Sequence, residues 1–364
     1  MPNINYFFYD AYHCDYAGAQ KSMVLLANSL SRSGENVSCM TVMGSNIDLH
    51  LEPSITRCYL PQFFYKIAKP RILNILFSVL FSFCFFFKQK NKNTIFIGNE
   101  ELGFLSLLPL RLFLAKVIWY VRSSDKLGFM DNFMFYSSSH VFSMTKSMLE
   151  ERFTRLDSSK VSILSSVFTP PINMNEEQLL ADKFVFKDKL CFGVFGAIVP
   201  RKNIIEAIDG FVSADLNDSV LIIVGPKVSG FEYYFNSIVT YIDELSLFDK
   251  VFVLENYSSI YSLYSKVDVL LLTSIDEGIP RVILEGLYFD KPVISSNVGG
   301  IKEAFSEFIS IGMLKLYNKH NISKLSELIS ESKAMKRCKT KNLVLQVFCE
   351  KKHRELFLLG IKKL

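Results

Sequence analysis

The chain has 364 residues, more than one hydrophobic core usually organises, so two domains with a ligand crevice between them are expected. Its residues are 49% apolar and 21% charged, which excludes wholesale disorder. Forty-one Lys and Arg against 36 Asp and Glu leave a net charge of +5, too small and too scattered for a nucleic-acid binder, though compatible with an anionic membrane or a phosphorylated ligand.

The opening MPNINYFFYDAYHCD has no basic start, apolar centre and small-residue cleavage site, so it reads as folded chain from residue 4 rather than as an export signal. The seven cysteines include no C-x-x-C pair and are odd in number, which predicts reduced thiols and a cytosolic setting. INYFFYDAY is an apolar strand, GAQKSMVLLANSLSRSG has helical spacing and stops at Gly34, and NVSCMTVMG is the next strand. Residues 72–87, ILNILFSVLFSFCFFF, are almost wholly apolar. Lys66, Lys69 and Arg71 precede them, and Lys88, Lys90 and Lys92 follow. About twenty residues are needed for a helix to span a bilayer, so this one is expected in a core or flat on a membrane surface, its cations on anionic headgroups, before it is expected to span. NTIFIGN, KVIWYVRSS and HVFSMT are further strands, with helices through LGFLSLLPLRLFLA and KSMLEERF. Strands alternating with helices specify a parallel sheet covered on both faces, a Rossmann-like domain.

TPPINMNEEQLLADKFVFKDK, residues 169–189, carries a proline pair and then a polar stretch, the best linker. The alternation then restarts, with strands LCFGVFGAIVP, SVLIIVGP, KVFVLEN, DVLLLTS and KPVISSNVGG separated by helical stretches, and CEKKHRELFLLGIKKL closes the chain as a helix. The expected architecture is α/β with two domains, residues 1–170 and 187–345, and a closing helix over 346–364. Ligands of such sheets sit at the strand carboxyl ends, here facing the interdomain cleft.

AGAQKSMVLLANSL, FGAIVPRKNIIEAIDGF and VDVLLLTSIDEGIPRVILEGLYFDKPVISSNVGGIKEAF together resemble the retaining glycosyltransferases of family four, the glycosyl transferases group 1, with the GT-B fold. The likeness runs in order through nearly the whole chain and is closest over 190–305. It implies a first domain for the acceptor and a second for a nucleotide-sugar. By this resemblance Glu277 and Glu285 are the family's first and second motif glutamates, and Lys202 is its phosphate-contacting lysine.

The chemistry of these residues agrees. Pro280 suits the first position of a helix, where its missing N–H costs nothing, so the helix is expected to begin just after Gly278 and Ile279. Its free N–H groups and positive dipole end favour a diphosphate, which Gly278 lets the backbone approach. Glu285, about two turns in, can accept from the paired hydroxyls of a ribose. Glu277, in the loop with Ser274, is placed for the transferred sugar or the charge developing on it. Arg201 and Lys202, after a strand end, supply cations for the leaving group. Where the family usually has an arginine five residues before the lysine, this chain has Ala197, and Arg201 is expected to take over its charge. Glu255 stands where a glycine is usual near the base pocket.

In the first domain Gly18 aligns with the family's glycine loop, whose amides face the donor phosphates, and Gln20 and Lys21 are assigned to the acceptor side. The family's histidine after the strand VIWYVRSSD is missing, and Arg122 and Asp125 occupy its neighbourhood and are assigned to the acceptor side with Gln20 and Lys21. His13 and His140 are isolated, and a lone histidine is more often structural. G-x-G-x-x-G after a strand, a P-loop lysine, zinc-spaced His and Cys and a G-x-S-x-G elbow are all absent from the sequence, against hydride, phosphoryl and acyl transfer.

The resemblance therefore implies a metal-independent, retaining transfer of a sugar from a nucleoside-diphosphate donor, UDP- or GDP-linked, to a hydroxyl, with no cofactor. Its acceptor is expected to be a lipid-linked or growing bacterial surface glycan such as O-antigen, capsule or exopolysaccharide. The protein is expected in the cytoplasm and, if residues 72–87 lie on a membrane, peripheral on the cytoplasmic face of the inner membrane. A nucleotide-sugar epimerase shares the two-domain fold, and a non-catalytic relative binding donor or lipid is suggested by Ala197, Glu255 and the missing histidine. Both stay open on sequence grounds.

Overall fold

The computed structural model describes residues 4–10, 18–60, 71–88, 93–122, 126–153, 155–170, 186, 188–255 and 260–364. The chain divides into two compact units, Met1–Val167 with Phe348–Leu364, and Phe168–Val347. Most of the expected linker lies outside the described residues.

The first unit holds a seven-stranded, wholly parallel sheet: β1 (Ile4–Tyr9), β2 (Asn36–Val42), β3 (Thr56–Leu60), β4 (Asn93–Asn99), β5 (Lys116–Val121), β6 (His140–Ser143) and β7 (Val161–Ile163), in the order β3-β2-β1-β4-β5-β6-β7. The central strands are buried on both faces, which is why they read as continuous apolar runs instead of alternating ones. Phe7, Phe96, Phe104 and Trp119 pack its core. The C-terminal helix Glu350–Ile361 returns to this unit, where Phe357 stacks on Phe142 at 5.2 Å.

The apolar stretch forms one helix, Arg71–Lys88. One face is core: Phe85 is buried and stacks on Phe7 at 4.1 Å. The other is open, with Leu76, Leu80 and Phe87 at least half exposed. The core reading of this segment therefore holds for one side of the helix, and the other side is open. Among the described residues no helix is long and apolar enough to cross a membrane.

The second unit has a six-stranded parallel sheet: β8 (Leu190–Phe195), β9 (Ser219–Val224), β10 (Val251–Leu254), β11 (Val269–Leu272), β12 (Val293–Ser296) and β13 (Leu314–Tyr317), in the order β10-β9-β8-β11-β12-β13. Phe192, Ile208, Leu221, Ile238, Leu271 and Ile294 lie in its core, packed between the strands and the helices Ile204–Ser213 and Glu232–Glu244. In both units the strand order reverses beside the first strand, the place where such sheets take ligands.

Candidate active site

In the second unit the loops after β8 and β11, adjacent strands, are joined by a set of hydrogen bonds. Residues Pro200–Lys202 form one 3-10 turn, and Asn203 follows in the left-handed conformation at φ 47°. Ile275 N donates to Arg201 O at 2.9 Å, Thr273 Oγ1 donates to the carbonyls of Lys202 and Asn203 at 3.1 and 2.9 Å, and Arg201 Nη1 donates to Asp276 O at 2.9 Å. The chain thereby fixes two segments, about seventy residues apart in sequence, before their side chains are considered.

Those side chains then meet. Lys202 Nζ lies 2.6 Å from Glu277 Oε1, Arg201 Nη1 3.3 Å from Glu277 Oε2, and Ser274 Oγ donates to Glu277 Oε1 at 2.8 Å. Burial pushes the Glu277 carboxyl up. The Lys202 ammonium and Arg201 guanidinium, with hydrogen bonds from Lys202 and Ser274, outweigh burial and hold the group below its ordinary value. Glu277 is thus an ionised, buried carboxylate. Sequence reasoning assigned Lys202 to the phosphates and Glu277 to the sugar; in the ligand-free chain each is the other's partner.

The backbone under Glu277 is held by residues the sequence reading left without a role. Gly299 has φ 53°, and a Cβ there would fall 1.7 Å from Glu277 O, so this close approach requires glycine. Gly300 N donates to Gly278 O at 3.2 Å, and Ser296 Oγ donates to Ser274 O at 2.7 Å. The NVGG run after a strand was the available signal.

Two details of the helix start differ from expectation. The helix is Arg281–Tyr288, and Pro280 is its N-cap with extended backbone at ψ 123°, not its first residue. Proline fixes φ alone, so the cap position, which needs a non-helical ψ, suits it as well. Glu285 is consequently little more than one turn in, not two. It is buried, accepts from Tyr264 Oη at 2.8 Å, and has Arg281 Nε at 3.7 Å. Tyr264 stacks against Phe195 at 4.3 Å and Phe289 at 5.3 Å, and burial first, then the Glu285 charge, raise its pKa and keep it a neutral donor. Ile279 and Pro280 are buried beside it, and Gly278 is half-buried. Glu255 is exposed at the end of β10, which β9 separates from β8.

In the first unit, Gly18 opens the helix Gly18–Arg32 and is not itself a loop residue; the loop before it, with His13, lies outside the described residues. Gln20 is buried and donates to Asp10 Oδ2 at 3.3 Å, and Lys21 is half-buried. Arg122 is buried at the end of β5, while Asp125 lies outside the described residues. His140 is a structural residue: its Nε2 is 3.0 Å from Ser162 Oγ, and burial, then Lys363 and Lys160, lower its pKa to about 4.

Two parallel α/β units, the second with paired basic and acidic side chains at its strand ends, define the GT-B class of glycosyltransferase folds. Residues 175–342, nearly the whole of the second unit, match the family model described as glycosyl transferases group 1. No curated protein matches the chain in sequence. Among solved structures it resembles HepE from Anabaena in complex with UDP and glucose, at 14% identity and TM-score 0.74 over 100% of both chains. It also resembles a glycosyltransferase from Rickettsia africae ESF-5, at 16% and 0.78 over 99% and 98% of the two chains. A third likeness is to the lipopolysaccharide outer core galactosyltransferase WaaB, at 16% and 0.71 over 99% and 100%. At these identities the likeness is one of fold.

Proposed function

We propose that the protein is a retaining glycosyltransferase that moves a sugar from a nucleoside-diphosphate donor to a hydroxyl of a bacterial surface glycan or its lipid-linked precursor. The observation that carries this reading is the Lys202–Glu277 pair at 2.6 Å, flanked by Arg201 at 3.3 Å. It places a buried carboxylate and two cations beside the start of the helix Arg281–Tyr288, whose first N–H groups favour an anion. The donor diphosphate replaces Glu277 as partner of Lys202 and Arg201, which releases the carboxylate toward the transferred sugar. Glu285 takes the ribose hydroxyls in place of Tyr264, and Gly278, Ile279 and Pro280 line the backbone that meets the phosphates. The sugar C1–O bond breaks with its electron pair leaving on the diphosphate oxygen. The acceptor oxygen bonds to C1 on the same face, and its proton passes to the departing oxygen. Stabilising that departing charge supplies most of the acceleration, and the reaction asks for no cofactor or metal. The complexes of HepE with UDP and glucose and the lipopolysaccharide role of WaaB favour a UDP-sugar and an envelope glycan.

The same reading puts the protein on the cytoplasmic face of the inner membrane, as a peripheral protein. Leu76, Leu80 and Phe87 stand on one side of their helix, and Phe113, between Leu112 at 83% and Leu114 at 90% exposure, packs its ring 5.4 Å from Phe87. These side chains make one apolar patch. From Pro53 to Asn99 the chain has seven Lys and Arg and no Asp or Glu, which suits anionic headgroups.

Thermal unfolding of the full chain with UDP-, GDP- and ADP-sugars, followed by turnover with radiolabelled donor, tests the activity. Selective stabilisation with transfer to a lipid-linked glycan is expected. Donor conversion without acceptor would instead mean an epimerase, and binding with no turnover a non-catalytic relative. Flotation with phosphatidylglycerol vesicles tests the surface, with Leu80→Asp, Leu114→Asp protein expected to stay unbound. Equal flotation of both proteins would refute it.

A further inference from the structure

The polar residues at the carboxyl edge of the first sheet form a hydrogen-bonded chain that ends on a buried arginine fork. Asp10 follows β1, Asn99 ends β4 and Arg122 follows β5, three neighbouring strands. Asn99 Nδ2 donates to Asp10 Oδ2 at 2.7 Å, Gln20 Nε2 donates to the same oxygen at 3.3 Å, and Arg122 Nε donates to Asn99 Oδ1 at 3.0 Å. The guanidinium also lies over the Tyr120 ring, 3.5 Å from its centroid. These contacts fix Arg122 through Nε and one face of its plane. They leave the fork itself unused: Nη1 and Nη2 are buried and, among the described residues, neither has a hydrogen-bond partner, in a residue only 6% exposed.

A buried cation with two idle donors is expensive, because buried polar groups are normally paired and a buried charge more so. The carboxylate of Asp10 meets Arg122 through the Asn99 amide. That arrangement orients the arginine without occupying it. The location has meaning as well, since β1 and β4 are neighbours at the point where the strand order reverses, and the Asp10–Asn99 bond spans that crevice. A second orphan lies nearby: His353 Nε2, on the C-terminal helix, is buried without a partner among the described residues. Burial, and then the Arg122 charge, lower the His353 pKa to about 3, so it stays neutral, and it hydrogen-bonds the Ser165 backbone through its other nitrogen. The Arg122 fork therefore offers two donor nitrogens on a cation, which suit a bidentate oxyanion, while the neutral His353 Nε2 beside it can only accept and suits a hydroxyl of the same ligand.

We propose that Arg122 is an anion-binding residue of the first unit, its fork holding a phosphate or carboxylate group of the sugar acceptor. Calling the ligand an acceptor rests on the glycosyltransferase reading; the anion site itself rests on the geometry of the first unit. Asn99 is then a positioning residue that aims the fork, and Asp10 and Gln20 position Asn99.

The test uses the full chain saturated with UDP, so that the cations of the second unit are occupied, and follows thermal unfolding against inorganic phosphate and, separately, acetate, at ionic strength held constant with chloride. Wild type is expected to gain stability with one or both anions beyond the chloride control. Arg122→Gln should lose at least about tenfold in apparent anion affinity while keeping its UDP response, and Arg122→Lys should recover only part, since it keeps the charge without the planar fork. A stronger phosphate response points to a phosphorylated acceptor and a stronger acetate response to an acidic sugar. If Arg122→Gln does not fold, wild-type crystals soaked in selenate decide the matter, with an anomalous peak expected at the two Nη atoms. No response of wild type to either anion, an equal response in Arg122→Gln, or selenate bound elsewhere only would overturn the proposal and leave Arg122 a water-solvated internal cation. Failure of the donor reading looks different: UDP then gives no stabilisation, while the Arg122-dependent response to phosphate or acetate remains.

Discussion

The two sheets carry charge at their carboxyl edges in opposite states of completion. In the second unit Lys202, Arg201 and Glu277 satisfy one another, and Glu285 is capped by Tyr264. In the first, Arg122 is aimed by Asn99 but its two Nη atoms have no hydrogen-bond partner among the described residues. Binding therefore has a different character at each edge. An anion arriving at Lys202 exchanges one partner for another, so its net gain is a difference between two strong interactions, whereas an anion arriving at Arg122 supplies hydrogen bonds that nothing else was making. The self-paired site is stable when empty and selective when filled.

Breaking the self-paired site should produce the largest effect. Lys202→Ala leaves the Glu277 carboxylate buried with Arg201 as its remaining cation, and removing one member of a buried pair typically costs about 3–5 kcal/mol. Arg201 is about half exposed and can move in, so the low end is expected. Transfer should fall by roughly 10²–10³, the usual loss when one group stabilising a departing charge is removed. The double variant Lys202→Ala, Glu277→Ala should be less destabilised than the sum of the singles, by at least about 1 kcal/mol. Denaturant unfolding of all four proteins gives this coupling, and strict additivity would mean the pair is incidental.

The units should also part company in acid. His140 and His353, both in the first unit, have folded pKa values of about 4 and about 3, below the unfolded value near 6.5. The unfolded chain takes up their protons first, so the stability they contribute is complete above about pH 6.5 and drains as pH falls toward those folded values. His353, with the larger shift, contributes more of it than His140. Glu277, whose folded pKa is also depressed, contributes stability above its unfolded value near 4.3 and loses it only below that. Calorimetry between pH 7 and 4 should therefore show the first unit weakening first, and His140→Gln, His353→Gln protein should flatten the decline. Simultaneous loss in both units would contradict this.

Between these effects and the smallest lies Gly299→Ala. Its Cβ would fall 1.7 Å from Glu277 O at a φ of 53°, so the loop must shift, at about 2–3 kcal/mol from overpacking and the left-handed backbone together. Transfer should drop with it, because the displaced backbone is that of Glu277. Retained activity would show that Glu277 needs no fixed position.

Much of this was legible in the sequence, and the failures have physical causes. The central strands announced themselves because burial on both faces demands unbroken apolar runs, as in SVLIIV of β9. The strands β3, β7 and β13 gave no such signal. They are short edge strands, and TRCYL and LKLY mix charge with apolar residues because one side of an edge faces solvent. At the site, the resemblance to the glycosyl transferases group 1 identified Lys202, Glu277 and Glu285 as candidates, which their spacing alone would not have done. The Lys202–Glu277 bond was not readable, since it depends on β8 and β11 being neighbours. The idle Arg122 fork was invisible for the same reason: its isolation depends on what the fold fails to bring near it.

The smallest expected effect is also the most discriminating about what fills the second site. Tyr264 Oη donates to Glu285 at 2.8 Å while its ring is clamped between Phe195 and Phe289. Tyr264→Phe preserves that stack and removes one hydrogen bond to a charged group, about 1.5–3 kcal/mol in isolation. In the folded chain Arg281, 3.7 Å from the same carboxylate, remains to offset part of it, so a stability loss near 1 kcal/mol is expected. Binding should respond in the opposite direction. If the donor's ribose displaces Tyr264 from Glu285, the variant no longer gives up a hydrogen bond on binding, and its affinity for UDP should rise by a few-fold. If Tyr264 and the ribose share the carboxylate, affinity should fall with stability. Titration calorimetry with UDP on the two proteins distinguishes exchange from sharing, and an unchanged affinity would remove Glu285 from the donor site.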